Sequence, residues 1–162
     1  MTRIELARVG WSDPRAAALR VIMDAEMDVL YSARVAAASP AQSALISAVL
    51  AVDASEIVSS VLALDGDVAV GHAGLRVLPD GSGEVRKVVV IDEARGLGIS
   101  KLLMAEVEAI AREEGIRRLL LQTGNLQHQA VSLYERLGYV SIPIYGGYDV
   151  IPGALCYEKV LS

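Results

Sequence analysis

The chain has 162 residues, 53% of them apolar, a formal net charge of −5, one cysteine and two histidines. That length suits one domain with a substantial core, and the acidic balance argues against general nucleic-acid binding while mildly favouring a cationic acceptor or a small molecule. The longest apolar stretch, Ala44 to Val52, is broken by Ser47 and closed by Asp53, far short of the ~20 residues that span a bilayer.

Glu5 falls where a signal peptide would need an apolar run, and the lone Cys156 can form no intrachain disulfide. Both point to a reducing cytoplasm. The histidines and the cysteine are widely separated, so no metal-ligand spacing is present. The absence of Phe and the wealth of Ala and Val would suit a GC-rich bacterial genome.

A first strand is expected over Ile4 to Val9, where Ile4 and Leu6 alternate with Glu5 and Ala7. Asp13-Pro14 reads as an N-cap followed by proline at the first helical position, and Leu19, Ile22, Met23 and Leu30 follow at helical spacing. Ser39-Pro40-Ala41-Gln42 has the capping-box pattern and opens a second helix through about Ala51. The Ala-rich bridge between them suits either loop or helix. Val61 to Leu64 leads through Asp65-Gly66, a hairpin signal, into a strand from Val68 to Val77. Pro79-Asp80-Gly81 turns the chain into a strand ending near Ile91.

A helix from Gly98 to Glu114 carries Ile99, Leu102, Leu103, Val107 and Ile110 on one face, with Gly115 placed to stop it. Arg118 to Gln122 has the character of a buried strand, Gln129 to Leu137 that of a helix ending at Gly138, and two strands close the chain. No linker, repeat or low-complexity tract divides residues 1–162, so one domain is expected. This order predicts an antiparallel meander followed by a right-handed β-α-β crossover. The fold class is therefore α/β (α+β), with a mixed, mostly antiparallel central sheet and helices on both faces.

The segment Val88-Val89-Val90-Ile91-Asp92-Glu93-Ala94-Arg95-Gly96-Leu97-Gly98-Ile99-Ser100-Lys101 carries the chemistry. A strand runs through an acidic turn into a glycine-containing loop and then a helix. Gly96 and Gly98 let the backbone approach a ligand closely, and a helix beginning just after them turns free N–H groups and its positive dipole end toward the loop. Arg95 and Lys101 add positive charge. That combination suits a phosphate. The spacing fits neither the P-loop nor the dinucleotide fingerprint.

It resembles instead the [QR]-x-x-G-x-[GA] signature of the GCN5-related N-acetyltransferases, with Arg95, Gly98 and Ser100 at its defined places and Ser replacing the usual Gly or Ala. A second segment, Asn125-Leu-Gln-His-Gln-Ala-Val-Ser-Leu-Tyr-Glu-Arg-Leu-Gly-Tyr139, resembles that family's N-x-x-A-x-x-L-Y-E-x-x-G-[FY] hallmark, in the right order and at the right distance.

The resemblance implies acetyl-coenzyme A as acetyl donor and an amine-bearing acceptor, a small molecule or a protein amine. It implies that the strands around residues 84–91 and 118–122 splay to admit pantetheine, which would pair with the main chain of Val88, Val89 and Val90. Gly96, Leu97, Gly98, Ile99, Ser100 and Lys101 would then cradle the pyrophosphate beside Arg95. Tyr134 falls where the family places a phenol near the coenzyme sulfur, a general acid for the departing thiolate. Glu84, 11 residues before Arg95, matches the catalytic base of the histone-acetylating branch. On a regular strand it shares a face with Arg86, Val88 and Val90, unless a bulge intervenes. The glutamate that other members carry on the next strand is Gln122 here, which cannot titrate. The position of the family's usual coenzyme-contacting Asn is Gln127 here, and Asn125, two residues earlier and out of register, is the alternative for that contact.

Tyr31, Tyr145 and Tyr148 are candidates for the acceptor side, and homodimers are common in the family. The function expected is N-acetyl transfer from acetyl-coenzyme A to a primary amine by direct attack. The alternative is a coenzyme A-binding regulatory module with impaired catalysis, for which Ser100, Gln122 and Gln127 are the departures that speak.

Overall fold

Local capping sets the N-terminal half. In the computed structural model, which describes residues 3–162, strand β1 (Ile4–Val9) is followed by helix α1 (Pro14–Leu30). Met1 and Thr2, part of the N-terminus read above for a leader, lie outside the described residues. The Asp13 carboxylate accepts from the Arg15 N–H at 2.9 Å, satisfying one of the free donors at the helix start. The bridge that the sequence left open is helical: α2 (Ser32–Ala37) starts at Tyr31, which caps both helices. Ser39 Oγ accepts from the Gln42 N–H at 3.1 Å and opens α3 (Pro40–Leu50).

The remaining order is β2 (Ile57–Asp65), β3 (Val68–Val77), β4 (Gly83–Val90), α4 (Ile99–Glu113), β5 (Arg118–Gly124), α5 (His128–Arg136), β6 (Val140–Ile142) and β7 (Ala154–Val160). The strands form one seven-stranded sheet in the order β1-β2-β3-β4-β5-β7-β6. Every neighbouring pair is antiparallel except β4 and β5.

Both faces of the sheet are covered. On one, α4 buries Ile99, Leu103, Val107 and Ile110 against Val61, Leu75, Val85 and Leu119, each large side chain contributing roughly 2 kcal/mol. On the other, Ala16 and Leu19 of α1 cover Leu62 and Val89. A smaller cluster joins Ile46 and Leu50 of α3 to Tyr148, Ile151 and Cys156. Leu102 departs from expectation. At 42% exposure it sits beyond the edge of the buried stripe, whose width is completed by Met104 and Ala111.

The pairing of β3 with β4 slips between His72 and Gly74, opposite Lys87. Lys87 has φ +54°, the one positive φ outside glycine among the described residues. The His72 ring meets the Lys87 carbonyl through Nδ1 at 2.7 Å. A bulge adds one residue to one strand and so reverses the alternation of faces. Val85 before it and Val90 after it therefore both reach the α4 side. This corrects the regular-strand expectation: Glu84 and Arg86 share a face that Val88 and Val90 do not.

His72 is fully buried, and desolvation pulls its pKa down to about 4, against the opposing pull of the Lys87 hydrogen bond. Between pH 6.5 and 4 the unfolded chain therefore binds a proton that the folded chain refuses. Stability from this group is complete above pH 6.5 and declines as pH falls toward 4, by about 3 kcal/mol. Urea titrations from pH 7.5 to 4 are expected to show this one-proton slope in the native protein and not in a His72→Gln variant.

Candidate active site

The loop between β4 and α4 has the form its glycines allow. Ile91 leaves the strand, a 3-10 turn spans Asp92–Ala94, and Gly98 then caps α4 with φ +77°. No side chain caps this helix, so the N–H groups of Ile99, Ser100 and Lys101 point out of its N-terminus without intrahelical partners. The Lys101 ammonium has no carboxylate within 4.0 Å among the described residues.

Arg95 is engaged differently. Its Nε donates to the Val90 carbonyl at 3.0 Å, and its two other nitrogens pair with Asp92 at 3.0 Å and Glu26 at 2.7 Å. It braces the strand end and ties the loop to α1.

Strands β4 and β5 pair only at Gly83↔Leu119 and Glu84↔Leu120. Beyond Glu84 they part, as the resemblance implied. A groove of about 2390 Å³ follows the gap and reaches the phosphate loop, well above the ~300–1,000 Å³ of ordinary ligand pockets. Val88, Val89, Val90, Arg95, Gly96, Gly98, Ile99, Ser100, Lys101, Gln127 and Tyr134 all line it. Leu97 is exposed outside it. Asn125 is outside too: its N–H donates to the Gly153 carbonyl at 3.0 Å, and its side chain packs on Gly153. Gln127 reaches Tyr31 Oη at 3.4 Å, inside the groove.

Tyr134 is 6% exposed. Its ring meets Tyr139 edge to face with centroids 5.9 Å apart, and its hydroxyl has no hydrogen-bond partner among the described residues. Burial pushes its pKa well above the ordinary tyrosine range, so the phenol stays protonated. Burial also raises the Cys156 thiol, which therefore offers no ready thiolate.

Glu84 is 0% exposed and does not line the groove. Arg76 meets its carboxylate at 2.8 Å, Arg86 at 3.2 Å, Tyr145 at 2.5 Å and Tyr148 at 3.1 Å. Oε1 carries both guanidinium contacts, while Oε2 accepts from Tyr145 and shares the Tyr148 hydroxyl with Oε1. Tyr145 and Tyr148 were expected on the acceptor side; they turn inward instead to hold Glu84, and Tyr31 alone of the three lines the groove. The sequence hinted at this cluster only through Glu84 and Arg86 two apart on a strand. Nothing local tied Tyr145 to a residue 61 positions away.

A sheet parted beside a glycine-led helix with free N-terminal N–H groups, and a buried phenol on the gap, suits a ligand with a phosphate and an extended arm. A sequence profile of the acetyltransferase (GNAT) family matches residues 23–139, and the chain belongs to that family.

It is 37% identical over 81 residues to an IAA acetyltransferase of Azospirillum brasilense, covering 50% of this chain and 53% of that one. N-acetyltransferase family 8 member 2 of Rattus norvegicus is 31% identical over 103 residues, with coverage of 56% and 46%. The chain thus spans about half the length of these curated relatives. Among solved structures, a Klebsiella pneumoniae protein assigned to the acyl-CoA N-acyltransferases superimposes with a TM-score of 0.78 at 24% identity, over 98% of each chain. A GNAT acetyltransferase of Elizabethkingia anophelis, solved with acetyl-CoA bound, gives 0.68 at 16% identity over 99% and 100%. These likenesses show the fold.

An added Cβ at Gly98 would touch nothing within 4 Å, so the cost of a side chain there is backbone strain alone. Gly98→Ala is expected to lower stability by about 1 kcal/mol and to distort the cradle. Chemical denaturation and acetyl-coenzyme A calorimetry on the variant check the two effects separately.

Proposed function

We propose that the chain moves the acetyl group of acetyl-coenzyme A to a primary amine by direct attack. The observation that carries this reading is the free Tyr134 hydroxyl in the groove where β4 and β5 part, with an open helix N-terminus on the same groove. The residues present fit the coenzyme: the cradle N–H groups and Lys101 suit its pyrophosphate, and the unpaired edge of β4 suits its amide-bearing arm. When bound, it would supply the acetyl group as a thioester. Arg95 contributes by holding the end of β4 and the loop in place.

In the transfer, the amine nitrogen forms a bond to the carbonyl carbon while the bond from that carbon to sulfur breaks. The amine gives up one proton and the sulfur takes one, leaving an amide and a free thiol. Tyr134, kept protonated by its burial, donates to the sulfur and regains a proton from solvent through the groove. Glu84 is a positioning residue in this scheme, not the base. Arg76, Arg86, Tyr145 and Tyr148 hold its carboxylate, and its work is to fix the loop of Tyr145 and Tyr148 against the wall of the groove. The amine's proton leaves through the open groove to solvent.

Calorimetric titration of acetyl-coenzyme A into the native chain is expected to give micromolar binding, lost in an Arg95→Ala, Gly98→Glu double variant. Tyr134→Phe is expected to keep that binding and lower kcat roughly 10²-fold. Tight coenzyme binding with no amine acetylated would favour the regulatory module instead.

Glu84→Gln is expected to leave the shape of the pH–rate profile unchanged. It should cost on the order of 3 kcal/mol of stability, because Arg76 and Arg86 lose their shared anion. Tyr145→Phe, a milder break of the same cluster, should do the same at about 1 kcal/mol. A pH–rate profile that changes shape in Glu84→Gln would restore that residue as the base.

A further inference from the structure

Past the point where β4 and β5 part, the groove is walled by α2, the end of α3 and Ile151. Its walls there are largely apolar: Val35, Leu50, Val52 and Ile151. Two guanidinium groups reach this end. Arg86 is committed, to Glu84 at 3.2 Å and to the Leu50 carbonyl at 2.8 Å.

Arg34 is not committed. Among the described residues no carboxylate lies within 4.0 Å of it. The neighbouring acids on the same groove are otherwise engaged: Asp24 with Lys87 at 3.0 Å, and Glu26 with Arg95 at 2.7 Å. Asp28 also lines the groove, yet makes no ion pair with Arg34.

The Arg34 guanidinium is nevertheless fixed in place. Its central carbon sits 4.2 Å from the centroid of the Tyr31 ring, a cation–π stack. Tyr31 is itself buried and seated against Gly124, where any added Cβ would collide with its hydroxyl. The stack uses one face of the guanidinium, so a partner can approach along the edge that carries the N–H groups. A planar fork of donors held this way matches a carboxylate.

We infer that the acceptor is a primary amine that also carries a carboxylate and a compact apolar body, such as an apolar amino acid. Arg34 is its specificity-determining residue. The inference rests on the acetyl-transfer reading above. The carboxylate meets Arg34, the apolar body lies along Val35, Leu50 and Ile151, and the amine faces the gap where the thioester carbon arrives. The product is then the N-acetyl acid.

Thiol release from acetyl-coenzyme A tests this with leucine, leucinamide and 3-methylbutylamine, which share one apolar body. Methionine with its own amide and decarboxylated amine provides a second series. Each is run with the native protein and with Arg34→Met. Comparing native with variant cancels the different basicities of the amines.

The selectivity for the carboxylate-bearing member, as a ratio of kcat/KM values, is expected to fall about tenfold or more in Arg34→Met. The change should lie in KM. The calorimetric Kd for acetyl-coenzyme A, which does not depend on Arg34, should stay at the native value and report an intact fold.

A native protein that acetylates the carboxylate-free amines equally well or better, or a selectivity that survives in Arg34→Met, would overturn the inference and leave acetyl transfer standing. Bound coenzyme with no acetylation of any amine in either series, nor of polyamines or lysine peptides, would overturn both.

Discussion

The site depends on one break in the sheet. β4 and β5 share two residue pairs and then separate, which leaves an edge of backbone donors and acceptors unsatisfied in the middle of a seven-stranded sheet. Such groups are costly to bury unpaired, so a protein that keeps them open is prepared for a ligand that will pair with them. The surrounding structure maintains this break. Arg95 holds the end of β4 through the Val90 carbonyl, His72 holds the bulge through the Lys87 carbonyl, and the Glu84 cluster anchors the strand where it still touches its neighbour.

That cluster gives a buried charge a structural part in the fold. Two guanidinium groups and two phenols surround the Glu84 carboxylate. What it can do is join β3, β4 and the β6–β7 loop, while Arg86 ties α3 to the same point. The walls of this end of the groove are thereby held by a knot of polar contacts behind them, of which Arg86 reaches the groove. The chain's overall negative charge does not describe the groove locally. At this end of the groove, among the described residues, Arg34 has no carboxylate within 4.0 Å.

Much of this was legible in the sequence. The periodicity of β1, the caps at Asp13 and Ser39, and the turn at Asp65-Gly66 are local signals, and the elements they announce stand where expected. The glycine loop and the Leu-Tyr-Glu segment carry a spacing specific enough to indicate the family. What the sequence hid is long-range or parity-breaking. No residue type marks Lys87 as left-handed, yet one bulge there decides which face each side chain of β4 occupies. Tyr145 and Tyr148 read as a pocket loop until folding brings them onto Glu84. Arg34 was invisible because its role comes from what it fails to touch.

The bulge at Lys87 also makes the chain sensitive to editing by single residues. Removing Lys87 would restore an unbroken strand of regular pleat. Either the residues before the cut or those after it would then be turned to the wrong face. One half-turn error would put a charged pair of side chains into the α4 core, or move valines out of it. The extra residue is thus a counting device. It allows the first half of one strand to build an ionic anchor and the second half to line a cofactor groove, and an insertion elsewhere in β4 would upset that count as surely as a deletion.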